Sequence, residues 1–247
     1  MGYRIRQIEP DTKFNELMSI ETITRVVPMA KIQAMLQECG VESQRERRLP
    51  GWLTVLFCIG MNLLSELSMT GVMEHLMRGT RLIHPSDEEA APTTGAYSQA
   101  RSRLGAKVLE RLFKAVCRPL ATQDTPGAFA YGLRLVALDG SIDDVPDSAA
   151  NSAYFGRASA QRGDSAFPQV QCVYLCECGT HAIFDAAFWP YAVSERRGGK
   201  RLLRSVRADM LVMWDRGFHD YDMLTGVRSR GAQVLARAAV FSGRPLM

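Results

Sequence analysis

Two stretches of the sequence decide the fold: LRLVALDGS at residues 133–141 and MLVMWDRG at residues 210–217. Each is a mainly apolar run that reaches an aspartate, Asp139 in the first and Asp215 in the second. Short apolar runs are typical of buried β-strands, and an aspartate followed closely by glycine is typical of a turn. We therefore predict two core strands, each of which ends at an aspartate.

Asp139 and Asp215 are candidate metal ligands. We predict that their strands are adjacent and parallel, so that both carboxylates lie at the same edge of the sheet, where ligand sites of such sheets are found. Carboxylate oxygens suit Mg²⁺ or Mn²⁺, and two such ions can drive phosphodiester cleavage. A turn or a helix cap explains either aspartate equally well, so both interpretations stay open. Asp143, Asp144 and Asp147 are predicted to be solvated or turn-forming residues of the following loop.

The hydrophobic pattern divides the chain into two domains. Up to residue 125 it predicts only helices, at residues 17–27, 29–39, 52–64, 70–77 and 97–118. From residue 126 it predicts strands at 133–138, 170–177, 181–189, 209–214 and 233–237, with helices at 194–206 and 219–230. The predicted fold class is therefore α+β: an all-helical domain over 1–125, followed over 126–247 by an α/β domain with a mixed sheet.

Two predicted helices carry rows of basic residues. The row in 97–118 includes Arg101, Arg103, Lys107 and Arg111, and the row in 194–206 includes Arg197, Lys200, Arg201 and Arg204. Rows of this kind can contact DNA phosphates and give salt-dependent binding. A solvated helix face produces the same pattern, so DNA binding is one of two interpretations.

Composition narrows the class of protein only a little. A net charge of +4 and a pI of about 8.8 permit a nucleic-acid partner without requiring one. The N-terminus does not resemble a signal peptide, and the longest apolar run, residues 52–64, is too short to span a bilayer. We therefore expect a cytoplasmic protein with free thiols and no membrane partner. The cysteines at 172, 176 and 178 match no zinc motif and are more typical of small buried side chains.

Several short motifs follow one another in a specific order. They are RRLP at 47–50, ARSRLG at 100–105, LVALDGS at 135–141, VPDS at 145–148, AFPQV at 166–170, GTHA at 179–182 and LVMWDRGF at 211–218. In this order and spacing they resemble the DDE transposases of the insertion-sequence-4 type, and the resemblance covers roughly residues 17–239.

The resemblance implies a DNA transposase with an incomplete ribonuclease-H-like catalytic domain. Asp139 and Asp215 would be its first and second catalytic carboxylates, with Mg²⁺ (or Mn²⁺) as cofactor and transposon-end DNA as partner; a homodimer is left open. The family's third acid is a later glutamate in a Tyr-Arg-Glu-Lys type signature, and no glutamate of this sequence follows Asp215.

Two hypotheses follow from that missing glutamate. The first is a truncated copy of a cut-and-paste transposase, which alone is expected not to cleave DNA. The second is a non-catalytic DNA-binding or dimerising protein derived from a transposase. A third, weaker interpretation is a metal-dependent nuclease that takes its third acid from Asp220 or Asp222.

Overall fold

The computed structural model describes residues 20–42, 49–80, 92–160 and 163–237. They form two compact units that meet between Val116 and Cys117, whereas the sequence analysis placed the domain boundary after residue 125. The start of the predicted helix at 17–27 and the first half of the RRLP motif lie outside the described residues.

The described part of the first unit is helical, as predicted. Its elements are α1 (Ile20–Val26), α2 (Met29–Glu38), α3 (Gly51–Leu63), α4 (Met69–Thr80), α5 (Thr94–Leu104) and α6 (Ala106–Val116). The apolar faces of these helices share one core, in which the rings of Phe57 and Tyr97 stack with centroids 4.8 Å apart. No helix among the described residues is long and apolar enough to cross a membrane.

The single helix predicted over residues 97–118 is wrong, because Gly105 divides it. Gly105 has a φ of 70°, a left-handed conformation that favours glycine, and its N–H still bonds to the carbonyl of Arg101. The predicted basic row is therefore split. Arg101 and Arg103 lie on α5, whereas Lys107 and Arg111 lie on α6.

The second unit is built around a mixed sheet. Its elements are β1 (Phe129–Ala130), β2 (Leu133–Asp144), α7 (Ala149–Phe155), β3 (Ser159–Ala160), β4 (Gly163–Asp164), β5 (Gln169–Glu177), β6 (Ile183–Pro190), α8 (Glu195–Leu202), β7 (Met210–Trp214), α9 (Tyr221–Arg228) and β8 (Gln233–Ala236). The sheet order is β6-β5-β2-β7-β8. β2 and β5 are antiparallel, as are β5 and β6, whereas β2, β7 and β8 run parallel. The α+β class and the parallel pairing of the two aspartate strands are confirmed.

Strand β2 is longer than predicted. The sequence analysis ended it at Leu138 with a turn at Asp139-Gly140, but β2 continues to Asp144. The reason is its antiparallel partner: β5 pairs with β2 as far as Asp144, which lies opposite Gln169. The backbone of β2 thus stays hydrogen-bonded beyond the point where β7 has ended, and Asp139 lies within the strand.

Helix α8 packs closely on the sheet because it contains two glycines. A Cβ at Gly198 would lie 1.4 Å from Cζ2 of Trp189, and a Cβ at Gly199 would lie 3.0 Å from the ring of Phe218 and 3.3 Å from Leu138. Glycine weakens an isolated helix, so its presence here reflects the close approach of helix and sheet.

A buried carboxylate fastens the first residues of the second unit to the sheet. Glu177, at the end of β5, accepts hydrogen bonds from the backbone N–H groups of Leu120 (3.0 Å) and Ala121 (2.7 Å) and from the Thr180 hydroxyl (2.5 Å). It also pairs with Arg134. Burial alone would raise the pKa of Glu177, but these donors outweigh it and hold the pKa below its ordinary value.

Candidate active site

The register of the two parallel strands places Asp139 and Asp215 at equivalent positions. The register of β2 with β7 ends with Ala137 opposite Met213. Asp139 is two residues beyond Ala137 (139 − 137 = 2), and Asp215 is two residues beyond Met213 (215 − 213 = 2). Side chains two residues apart on a strand share a face, so the aspartates follow the last pair at the same edge. Both side chains are exposed.

In each aspartate, one carboxylate oxygen accepts a hydrogen bond from a nearby backbone N–H group. Asp139 Oδ1 accepts the N–H of Gly140 at 2.8 Å, and Asp215 Oδ1 accepts the N–H of Gly217 at 2.8 Å. The second bond caps a 3-10 turn at residues 216–218, so Asp215 does have the capping role that the sequence left open. Oδ2 of each aspartate forms no hydrogen bond or ion pair with the part of the chain that the structure describes.

Asp220 and Asp222 differ from Asp139 and Asp215 because both contact a lysine, Lys200. Asp220 caps α9 by accepting the N–H groups of Asp222 (2.6 Å) and Met223 (3.3 Å), and its other oxygen lies 3.2 Å from Lys200 Nζ. Lys200 also contacts Asp222 at 2.5 Å. Burial raises the pKa of Asp220, but Lys200 and the two N–H groups lower it further, to below its ordinary value. Both carboxylates already have a cation, which argues against either as the third acid.

The three acidic residues that closely follow Asp139 in the sequence, Asp143, Asp144 and Asp147, have structural partners. Asp143 and Asp144 lie in β2, not in the predicted loop, and Asp144 accepts a hydrogen bond from Gln169 at 3.0 Å. Asp147 does lie beyond the strand, where it forms a 2.5 Å ion pair with Arg157. These residues support the local structure around the site.

Sequence reasoning missed Glu195, the first residue of α8. A Cβ at Gly140 would lie 3.0 Å from Oε1 of Glu195, so this carboxylate rests against the residue that follows Asp139. In the sequence Glu195 is only the acidic member of a basic helix. The one available signal was Gly140 itself, because a glycine in a strand often marks a close approach by another group. Within the described residues, no three His, Cys, Asp or Glu side chains lie close enough together to hold a metal ion as they stand.

The eight basic residues predicted to contact DNA fall into two groups. Three have carboxylate partners in the structure: Arg111 pairs with Glu38 at 2.9 Å, Lys200 with Asp220 and Asp222, and Arg204 with Asp185. The others are exposed and form no ion pair with described residues; they are Arg101, Arg103, Lys107, Arg197 and Arg201.

Arg204 forms the most hydrogen bonds of these three residues. Its Nε and Nη2 atoms bond both oxygens of the buried Asp185, at 3.0 and 2.7 Å, and Ser205 donates a third bond to that carboxylate at 2.6 Å. A bidentate arginine–carboxylate pair fixes both groups in one geometry. The guanidinium of Arg204 therefore holds the turn that directly follows α8 to β6.

Known proteins give the same picture of this chain's ancestry. Residues 17–114 match the family described as the insertion element 4 transposase N-terminal domain. The chain is 29% identical over 194 residues to the transposase InsG of insertion sequence element IS4 from Escherichia coli K12, a match that covers 78% of this chain and 42% of InsG. It is 26% identical over 217 residues to InsZ, a provisionally named transposase of the same strain, covering 86% and 69% of the two chains.

Among solved structures, the chain is similar to the piggyBac transposase in a synaptic complex with hairpin DNA. The identity is 13% and the TM-score 0.35, over 95% of this chain and 43% of that one, and a likeness at this level carries no argument about function. The chain spans less than half the length of InsG. The chain is thus similar in sequence to insertion-sequence-4 transposases, and its residues 17–114 match the model of their N-terminal domain.

Proposed function

We propose that this chain is part of a cut-and-paste DNA transposase in which Asp139 and Asp215 bind the divalent metal used for DNA strand cleavage and strand transfer. The observation that carries the proposal is the position of the two exposed carboxylates, two residues past the last paired residues of adjacent parallel strands. Its relatives InsG and InsZ, both named as transposases, support the same reaction class.

The strand order supports a ribonuclease-H-like assignment for residues 126–247. Strands β6, β5 and β2 alternate in direction, and β7 and β8 then run parallel to β2. The candidate carboxylates lie where β2 loses its parallel partner, and ligand sites are common at such edges. This part of the molecule would be the catalytic domain, and residues 1–125 would be the domain that binds DNA.

The donor set of the site fits Mg²⁺ or Mn²⁺. Both ions prefer oxygen ligands, and each aspartate keeps one oxygen that no described cation or N–H group occupies. A divalent ion bound there would supply charge stabilisation at the reacting phosphate and a more acidic water. Asp139 and Asp215 would hold the ion, and their exposure would leave the site open to a DNA backbone.

Five exposed basic residues are the proposed phosphate contacts. Arg101, Arg103 and Lys107 belong to the first unit; Arg197 and Arg201 lie on α8, whose first residue touches Gly140. Because α8 adjoins the site, its two unpaired arginines are placed to hold a DNA backbone near Asp139. Binding of transposon ends and assembly as a homodimer belong to the same proposal.

A second candidate function is DNA binding or dimerisation without catalysis. It is favoured by one observation: among the described residues, no cluster of three metal-binding side chains is in place. The two functions differ in what they require of Asp139 and Asp215, because a protein that only binds DNA has no need of a metal there.

Direct titration with Mn²⁺ separates the two functions. We expect the chain to bind Mn²⁺, and Asp139→Asn or Asp215→Asn to weaken binding at least about tenfold, because each removes a ligand charge at the ion. Asp209→Asn is the matched control, since it removes an exposed carboxylate just before β7, at the other end from Asp215. Equal affinity in all four proteins would contradict the metal site and leave the non-catalytic function.

A further inference from the structure

Arg216 is the residue directly after Asp215, and its side chain is exposed. Its guanidinium forms no hydrogen bond or ion pair with the described residues, although an acid stands on the neighbouring position. The arginines that stabilise this unit are different, because Arg134, Arg157 and Arg204 each pair with a carboxylate. The packing of the described residues therefore does not account for a cation at Arg216.

The turn that carries Arg216 is fixed at both ends. At its start, Asp215 Oδ1 accepts the N–H of Gly217 at 2.8 Å, and a Cβ on Gly217 would lie only 3.0 Å from that oxygen. At its end, the ring of Phe218 is buried, with 1% of the residue exposed, and lies close to Gly199 of α8. The backbone of Arg216 is thus held beside Asp215 before any ligand arrives, so that only side-chain rotamers have to be ordered on binding.

A cation beside the two aspartates suits a bound phosphate better than it suits a metal ion alone. One divalent ion neutralises Asp139 and Asp215, so an arriving phosphodiester brings a negative charge that the aspartates and the ion do not balance. Arginine matches phosphate in charge and in geometry, because its fork of N–H groups can donate two parallel hydrogen bonds. Arg216 offers that charge from the residue next to a proposed metal ligand.

We infer that Arg216 binds the DNA phosphate that lies at the Asp139–Asp215 metal, an inference that rests on the proposed function. Arg197 and Arg201 would hold the DNA backbone along α8, whereas Arg216 would hold the phosphate that contacts the ion. Its contribution should therefore depend on the metal. Without the ion the two carboxylates repel the phosphate, and with the ion they no longer do. A cation that contacts DNA elsewhere has no such dependence.

Fluorescence anisotropy with a labelled DNA duplex tests this inference through affinity, first in Mn²⁺ and then in EDTA. Arg216→Gln removes the charge of an exposed side chain, so the chain should stay folded. We expect it to weaken DNA binding at least about tenfold in Mn²⁺, as loss of a charged hydrogen bond implies, and less than about threefold in EDTA. Arg216→Lys keeps the charge but loses the fork, and should recover only part of the affinity.

Arg228→Gln is the matched control. Arg228 is exposed, forms no ion pair with the described residues, and lies in the last turn of α9. The chain then enters β8, whose first residue pairs near the start of β7, so Arg228 lies towards the other edge of the sheet from Asp215. Its loss should change DNA affinity by less than about threefold, and by the same factor in Mn²⁺ and in EDTA. Circular dichroism checks that each variant folds.

Mn²⁺ titration without DNA separates the inference from the function on which it rests. Arg216→Gln should bind Mn²⁺ at least as tightly as the unaltered chain, because it removes a positive charge beside the ion. If Asp139→Asn and Asp215→Asn weaken Mn²⁺ binding but Arg216→Gln binds DNA like Arg228→Gln, the metal site stands and the inference is wrong. An Arg216→Gln effect of equal size in Mn²⁺ and in EDTA would also overturn it. If the aspartate variants bind Mn²⁺ normally, the site itself is wrong and the inference goes with it.

Discussion

The second unit contains two contrasting pairs of carboxylates. Glu177 and Asp185 are buried, and each is surrounded by donors: backbone N–H groups, a hydroxyl and an arginine. Asp139 and Asp215 are exposed, and each accepts one N–H group from a neighbouring residue. Burial with full pairing is how a protein uses acids to hold its fold, whereas exposure with a free oxygen leaves an acid available to a ligand. The two pairs should respond oppositely to substitution.

The largest effect is expected at Glu177. Glu177→Ala leaves two backbone N–H groups and the partly buried Arg134 without their acceptor, and should lower the free energy of unfolding by about 3–5 kcal/mol. Urea unfolding followed by circular dichroism measures it. A loss of less than about 1 kcal/mol would show that the Glu177 network does not hold the unit together.

The same carboxylate predicts a pH dependence. The pKa of Glu177 is lower in the folded chain than its ordinary value near 4.5, so the unfolded chain binds the proton more tightly. The stabilisation is therefore present above the ordinary pKa and is lost as the pH falls through the folded pKa. Glu177→Gln should flatten the acid side of the stability–pH curve. An unchanged slope would contradict the pKa shift.

Arg204 should give a smaller loss of stability. Arg204→Ala removes the bidentate partner of buried Asp185, while Ser205 and the N–H of Ala186 remain. The side chain of Arg204 is 46% exposed, so water replaces part of the interaction and we expect about 2 kcal/mol. Arg201→Ala, at the end of the preceding helix α8, is the control and should change the stability by less than about 0.5 kcal/mol.

The salt dependence of DNA binding should distinguish the unpaired arginines of α8 from an arginine that already has a carboxylate partner. Arg201→Gln should reduce the slope of log affinity against log salt by about one, because one phosphate contact is lost, and Arg197→Gln should do the same. Gel-shift titrations across a range of salt concentrations measure this slope. Arg111→Gln, which removes a cation already paired with Glu38, should leave the slope nearly unchanged. The reverse ranking would contradict the assignment of unpaired arginines to DNA.

Local patterns predicted the main features of the fold. The apolar runs before Asp139 and Asp215 identified two core strands, because short apolar runs are typical of buried strands. The two strands of the β5–β6 pair were also predicted, at residues 170–177 and 181–189. Helix and strand periods depend only on neighbouring residues, which is why the α+β class was accessible from sequence.

One error is local, since the positive φ of Gly105 divides the helix predicted over residues 97–118. The other features that the sequence did not show depend on contacts between residues distant in sequence. The continuation of β2 past Asp139 depends on pairing with β5, since residues 139–144 are mostly polar and lack a strand pattern. The carboxylate partner of Arg204 is on β6, so a charge row alone could not reveal this ion pair. Glu195 reaches Gly140 only because Gly198 fits against Trp189. A sequence displays residue types, but it does not show which side chains meet.

The stability of the Asp139→Asn/Asp215→Asn double variant with and without Mn²⁺ tests the central claim most directly. Without metal, the free energies of unfolding of the unaltered chain and the double variant should differ by less than about 0.5 kcal/mol. Neither carboxylate is buried, and asparagine can keep both local hydrogen bonds. At a Mn²⁺ concentration about 100 times the dissociation constant, the unaltered chain should gain about 2.7 kcal/mol and the double variant almost none. An equal gain in both proteins would place the metal elsewhere and contradict the account.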